Sequence, residues 1–316
     1  MLLERLFFNF LGDPEEGDWM ELEGYAKAGR ALASILNKWS SAIKEGDSLL
    51  DIAERIEREI LDLGFRPAFP VNLSLNEIAA HYTPPPGDRS VVLEGSLLKL
   101  DVGVEFEGYI VDAARSICFS EKHERMVEVA RQAFDAAVRL MKPGTRIREV
   151  SKAIYETIKS EGFIPIRNLA GHKITKYKLH SGVDIPNSPT LSFYKLKEGD
   201  VFAVEPFVTD KKCSGLVKDE KFAYIFSFKE PVRTSSSLEK KILKIAAKDF
   251  HGLPFCARWL VGLVGKKDLD RALRSLIKKG GIYAYPVLVE MRSCTVAQYE
   301  NTVFITNDGP VILTEL

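Results

Sequence analysis

Three acidic side chains stand in apolar, strand-like runs where an unpartnered charge would be costly. Asp101 lies in Leu97-Leu-Lys-Leu-Asp-Val-Gly-Val104 and Glu205 in Phe202-Ala-Val-Glu-Pro-Phe-Val208, while Glu300 lies in Thr295-Val-Ala-Gln-Tyr-Glu-Asn-Thr-Val-Phe-Ile305. A carboxylate buried in such a run needs a metal, a cation or a proton. A fourth acid, Asp112, follows Asp101 in a segment that reads as a β-hairpin with a tight turn at Glu107-Gly108. A two-residue turn sets Asp112 opposite Gly103, one pleat from Asp101 on the same face, so the two acids are diagonal neighbours about 7–8 Å apart at Cα. The residues around them, Gly103, Ala114 and Ser116, are small. Two bare anions there would repel until one took a proton, and a divalent cation relieves that conflict. A solvated polar face is the other reading of the hairpin taken alone.

The chain has five histidines. His123, at a charged helix start, and His251, in a basic stretch, read as surface residues. His81 ends an apolar segment just before Pro84-Pro-Pro86. His172 and His180 share the run Asn168-Leu-Ala-Gly-His-Lys-Ile-Thr-Lys-Tyr-Lys-Leu-His180, in which Gly171 permits close backbone approach beside His172. One histidine and four carboxylates suit two divalent ions, because four negative charges balance four positive ones. Oxygen-rich ligation favours Mn, Fe or Co over a thiolate-type zinc site. Two ions about 3.5–4 Å apart lower the pKa of a bridging water and polarise a carbonyl, which is metal-assisted hydrolysis.

Such donors are far apart in sequence and need a frame that gathers them. Residues 44–67 align with residues 142–165, so that Gly46 meets Gly144, Ile56 meets Ile154, Ile60 meets Ile158 and Gly64-Phe65 meets Gly162-Phe163. A second helix precedes each copy, with apolar stripes Leu32, Ile35, Leu36, Trp39, Ile43 and Val127, Ala130, Phe134, Val138, Met141. The strands repeat too: Gly95 precedes Asp101 as Gly199 precedes Glu205. Two helix–helix–strand units of this kind should pack as pseudo-symmetric halves of one α+β domain, with Asp101 and Glu205 equivalent about a shared centre. Residues 236–285 break the pattern as a helical insertion; residues 236–280 hold 11 Lys or Arg against 4 Asp or Glu. Residues 26–235 and 286–316 form the catalytic domain, and residues 1–25 read as an N-terminal extension rather than a signal peptide.

At 316 residues, 46% hydrophobic and with 44 basic against 44 acidic side chains, the chain has core enough for a globular domain and no global field toward nucleic acid or membrane. No uncharged run approaches a membrane span. Cys118, Cys213, Cys256 and Cys294 are widely spaced with no CxxC, which argues against a disulfide scaffold or zinc knuckle and fits a reducing cytoplasm.

From about Ala26 onward the sequence resembles the type II methionine aminopeptidases of archaeal or eukaryotic style. The motifs that carry the likeness are Pro67-Ala-Phe-Pro-Val-Asn-Leu-Ser-Leu-Asn-Glu-Ile-Ala-Ala-His81-Tyr-Thr-Pro, Lys99-Leu-Asp101-Val-Gly-Val, Asn168-Leu-Ala-Gly-His172, Val204-Glu205-Pro-Phe and Val296-Ala-Gln-Tyr-Glu300. The resemblance implies the pita-bread fold, with the helical insertion separating type II from type I. It implies two divalent ions (Co, Mn, Fe or Zn), with Asp101 on one, His172 and Glu205 on the other, and Asp112 and Glu300 bridging both. Glu205 would relay a proton, and His81 and His180 would contact the substrate and stabilise the tetrahedral intermediate. Phe69, Phe207 and Tyr285 match positions that line a methionine pocket, although their residue types alone read as core packing.

The implied activity is removal of initiator Met from nascent polypeptides with a small second residue, by a cytoplasmic monomer that does not bind membrane. The basic insertion suggests transient ribosome contact, with a solvated helical face as the plainer explanation. An Xaa-Pro peptidase of the same fold and a catalytically silent ribosome-, RNA- or protein-binding relative are the alternatives. Two positions depart from the family pattern. Asn301 stands where Glu-His-Thr is usual, and Ala113 where Asp-Thr-Ala is usual; losses around metal ligands can reduce affinity or activity by roughly 10–100-fold.

Overall fold

The computed structural model describes residues 16–263 and 265–315. The extension expected over residues 1–25 therefore lies partly outside the described residues. Its last part is not an extension: a helix runs unbroken through Glu16–Ala42, and Leu22 and Tyr25 are buried in the core. The continuous apolar stripe explains this, since Leu32, Ile35, Leu36, Trp39 and Ile43 extend the same face and all are buried.

The duplication is visible in the backbone. The helix Leu49–Asp62, capped by Ser48 Oγ accepting from Asp51 N, has its counterpart in Ile147–Ser160. Gly46 N donates to Val92 O and Leu49 N to Ser90 O. In the other half Gly144 N donates to Leu196 O and Ile147 N to Tyr194 O, the same bonds at the same offsets. The long helices Glu16–Ala42 and Glu124–Val138 complete the two units, each over its own apolar cluster.

Between the halves lies an eleven-stranded antiparallel sheet. Its centre is formed by Leu97–Phe106, Tyr109–Cys118, Val296–Thr306, Val201–Val204 and Ala170–Ile174, paired in that order. The first hairpin has the register its turn predicts, with Asp101 opposite Ala114 and Gly103 opposite Asp112. Glu107 (φ 52°) and Gly108 (φ 93°) both take the left-handed conformation of a tight two-residue turn. The outer strand pairs also correspond: Ser74 opposes Lys99 in one half as His172 opposes Ala203 in the other.

Val217–Phe228 and Ile282–Glu290 form a separate four-stranded sheet with Phe255–Cys256 and Ile78–Ala80. The insertion rests on it, its helices Ser237–Lys244 and Lys266–Lys279 closing an apolar cluster around Ile242, Phe255, Leu269 and Leu276. A buried fork ties the insertion to the first half: Arg258 donates to both Glu57 carboxylate oxygens at 2.6 and 2.8 Å and to Pro84 O at 2.7 Å. Among the described residues no helix is long and apolar enough to cross a membrane.

Two expectations are corrected. Cys213 and Cys294 form a disulfide, with Cα atoms 6.0 Å apart, while Cys118 and Cys256 are free. Their 81-residue separation concealed this, because antiparallel pairing of Thr209 with Val296 brings the segments that carry them together. His123 is buried rather than on the surface, turned inward by the 3₁₀ turn Glu121–His123; His251 is exposed as expected.

Candidate metal centre

The inner faces of the two halves meet at a cavity of about 70 Å³. Asp101, Asp112, His172, Glu205 and Glu300 all line it, together with His81, His180, Phe69 and Tyr285. Each donor comes from a different stretch of strand. Asp101 and Asp112 share the first hairpin, and His172 stands on Ala170–Ile174. Glu205 follows Val201–Val204 directly, and Glu300 is in the middle of Val296–Thr306.

One ligand atom each from Asp112, His172 and Glu300 lies within 4.8 Å of the other two. His172 Nε2 is 3.5 Å from Asp112 Oδ2 and 3.7 Å from Glu205 Oε1. Gly171 makes this approach possible: a Cβ there would fall 2.4 Å from Ala203 O on the neighbouring strand. Gly103 serves the pocket in the same way, since a Cβ would fall 2.3 Å from the Phe69 ring.

No Lys or Arg is among the residues that line the cavity, and Arg115, behind Glu300, offsets only part of that acid's burial. Burial pushes Asp112 up to about 7, and burial together with the neighbouring carboxylates raises Asp101, Glu205 and Glu300 well above the ordinary carboxylate range. Burial also pushes His172 down to about 4, so at neutral pH its contacts with Asp112 and Glu205 are not ion pairs. Asp101 Oδ1, Asp112 Oδ1 and Glu300 Oε1 are buried without a hydrogen-bond partner. Buried acceptors that converge without a donor fit divalent cations, and the oxygen-rich set with one imidazole matches harder metals.

The histidines differ in what they offer. His81 Nδ1 lies 3.2 Å from Pro286 O. A carbonyl only accepts, so Nδ1 carries the proton and, in the neutral ring that burial favours, Nε2 is an acceptor. His180 sits at the cavity mouth with an exposed outer edge, its ring centroid 4.3 Å from that of His172. The walls around it, then His172 and His81, hold its pKa down and keep it neutral.

Phe207 is not among the lining residues. It is buried in a separate apolar cluster with Ala79, Ala80, Ile166 and Val296, the packing role its residue type suggests.

Several contributors carry no signal in sequence. Gln298 donates to Glu300 Oε2 at 2.9 Å and reaches Glu205 Oε2 at 3.5 Å. Asn187 Nδ2 holds Glu205 O at 3.1 Å. Ile225 and Pro254 join the apolar lining from the sheet and insertion.

The family model described as "Metallopeptidase family M24" matches residues 23–307. The chain belongs to metallopeptidase family M24. Among curated M24 relatives, the methionine aminopeptidase of Thermococcus onnurineus (strain NA1) is 45% identical over 298 residues, covering 93% of this chain and 99% of its own. That of Methanothermobacter thermautotrophicus is 38% identical over 299 residues, with 93% and 99% covered. The M24 fold, the expected pita-bread arrangement, recurs in solved structures. A methionine aminopeptidase from Thermotoga maritima superposes with a TM-score of 0.68 at 24% identity, covering 94% of this chain and 97% of that one. A structure described as a thermophilic Arx1 gives 0.83 at 18% identity, covering 93% and 91%. Identities this low speak for the fold alone.

Proposed function

We propose that this M24 chain is a methionine aminopeptidase: it removes the N-terminal initiator Met from polypeptides by metal-dependent hydrolysis. The observation that carries this is the convergence of four carboxylates and one imidazole, three of their oxygens buried without a donor, on one small cavity. Nearly full-length methionine aminopeptidase relatives support the same reading.

Two divalent cations (Mn, Co, Fe or Zn) would be held by Asp101 on one, by His172 and Glu205 on the other, and by Asp112 and Glu300 on both. When bound they supply Lewis acidity, activating water and polarising the scissile carbonyl. The chain does the rest. Phe69, Tyr285, Ile225, Leu179 and Pro254 give the cavity an apolar wall suited to a methionine side chain. Glu205 is the proton carrier, accepting from the attacking water and passing the proton to the leaving amine. His81 Nε2 accepts from the substrate's peptide N–H, while neutral His180 donates to the developing oxyanion. A second residue of small size is preferred because a bulky one would crowd this donor set.

Purified protein with added Mn or Co should release Met from Met-Ala-Ser, and Asp101→Asn or His172→Ala should abolish release. No release from Met-Ala-Ser by metal-replete protein would overturn the reading. A silent relative is disfavoured because all five donor positions are filled and converge, and an Xaa-Pro peptidase because the nearly full-length curated relatives are methionine aminopeptidases.

The enzyme acts as a cytoplasmic monomer where nascent chains emerge. Lys240, Lys241, Lys244 and Lys248, all exposed, provide an electrostatic contact with ribosomal RNA. Reversing their charges should weaken salt-sensitive ribosome association, and unchanged association would remove this part of the proposal.

A further inference from the structure

Asp112 and Glu300, the two acids placed to be shared, come from opposite halves, and little backbone pairing joins their strands. Among the described residues only Tyr299 with Arg115 and Glu300 with Ala114 are in register there. Side chains complete the joint. Thr302 Oγ1 accepts from Asp112 N and donates to Asp112 O, each at 2.8 Å. Beside Glu300, Arg115 Nη1 donates to Glu300 O at 2.6 Å and to Ala114 O at 3.0 Å. Its Nη2 donates to Asn301 Oδ1 at 2.8 Å, and the guanidinium carbon stands 4.4 Å from the Tyr299 ring centroid. Asn301 Nδ2 then donates to Glu315 Oε1 at 3.1 Å, which also accepts from the Tyr299 hydroxyl at 2.5 Å. Thr314 Oγ1 donates to Asn301 Oδ1 at 2.8 Å. One polar chain thus runs from Glu315 through Asn301 and Arg115 to the carbonyl of Glu300.

We propose that Arg115 is a positioning residue for Glu300, held in place by Asn301 and Glu315, and that this chain sets how tightly the site binds a divalent cation. The reason is geometric. Rotation about the Glu300 peptide would swing its carboxylate out of the cavity, and beyond the strand pairing the fork of Arg115 restrains that peptide from the side. A planar guanidinium can serve the carbonyl and the Asn301 amide oxygen at once; a single ammonium cannot do so in the same geometry. Glu315 keeps the Asn301 oxygen facing Arg115 by accepting from its amide nitrogen. Arg115 reaches the cavity only through Glu300, so it acts by placement rather than by contact with the reacting atoms. The inference rests on the metal-centre reading above.

The test is calorimetric titration of full-length, metal-stripped protein with Mn²⁺, using wild type, Arg115→Met, Glu315→Ala and Glu315→Gln. Arg115→Met should bind Mn²⁺ about 10-fold more weakly or worse. Glu315→Ala should weaken binding by about 2–5-fold, whereas Glu315→Gln, whose amide oxygen accepts the same two donors, should stay within about twofold of wild type. A merely structural role would lower the melting temperature of the stripped variants and leave Mn²⁺ affinity unchanged, and that result overturns the proposal. If Arg115→Met does not fold, the Glu315 pair decides, and equal affinities for Ala and Gln overturn it. Wild type that binds no Mn²⁺ would instead remove the metal-centre reading, and this inference with it.

Discussion

The site's acids carry a pH signature in their burial. Asp112, pushed up to about 7, largely holds its proton at pH 6 in the metal-free protein, and burial with the neighbouring carboxylates raises Asp101, Glu205 and Glu300 well above the ordinary carboxylate range. A carboxyl whose folded pKa exceeds its unfolded value binds more protons when folded. Through Asp112 the metal-free protein therefore loses stability as pH rises from about 3.8 toward about 7. Cation binding must displace these protons. At pH 6 it should be weaker than at pH 8 and should release protons, read as a buffer-dependent heat in calorimetry; a heat independent of the buffer's ionisation enthalpy would contradict this. His172, neutral well above pH 4, adds little to that release. At this scale the donors were legible because a carboxylate in an apolar run is conspicuous. Arg115 and Thr302 were not, because a polar residue in a strand says nothing about a partner some 180 positions away.

Among elements, the hairpin and the duplication followed from spacing. A two-residue turn fixes every facing pair up to the next irregularity, which put Asp112 opposite Gly103 in advance. The contact between His172 and the strand of Glu205 rests instead on Gly171, whose absent side chain leaves room for Ala203 O. Gly171→Ala should force the two strands apart and cost about 1–3 kcal/mol in denaturant unfolding, with metal affinity reduced as well. Wild-type stability and affinity would show that the strands have slack there. The disulfide marks the limit of such reading, since its cysteines meet only through the pairing of Phe207–Asp210 with Val296–Thr306. A helix boundary proved equally opaque: Leu22 and Tyr25 belong to the first half of the helix Glu16–Ala42, where charged residues interrupt the apolar pattern.

As a whole the molecule is two similar halves whose equivalent strands bring Asp101 and Glu205 to one cavity, with an insertion roofing it. Arg258, in contact with Glu57 and with the Pro84 carbonyl, joins that roof to the segment just after His81. The insertion was legible as a run of basic helices; its anchoring was not, because a buried Arg–Glu fork spanning about 200 residues has no local signature. The proposed function places a pair of metal ions between the halves. Anomalous diffraction from crystals grown with Mn²⁺ tests it most directly. Two peaks about 3.5–4 Å apart, flanked on both sides by Asp112 and Glu300, are predicted; a cavity with no peak, or Mn²⁺ bound only elsewhere on the surface, would contradict it.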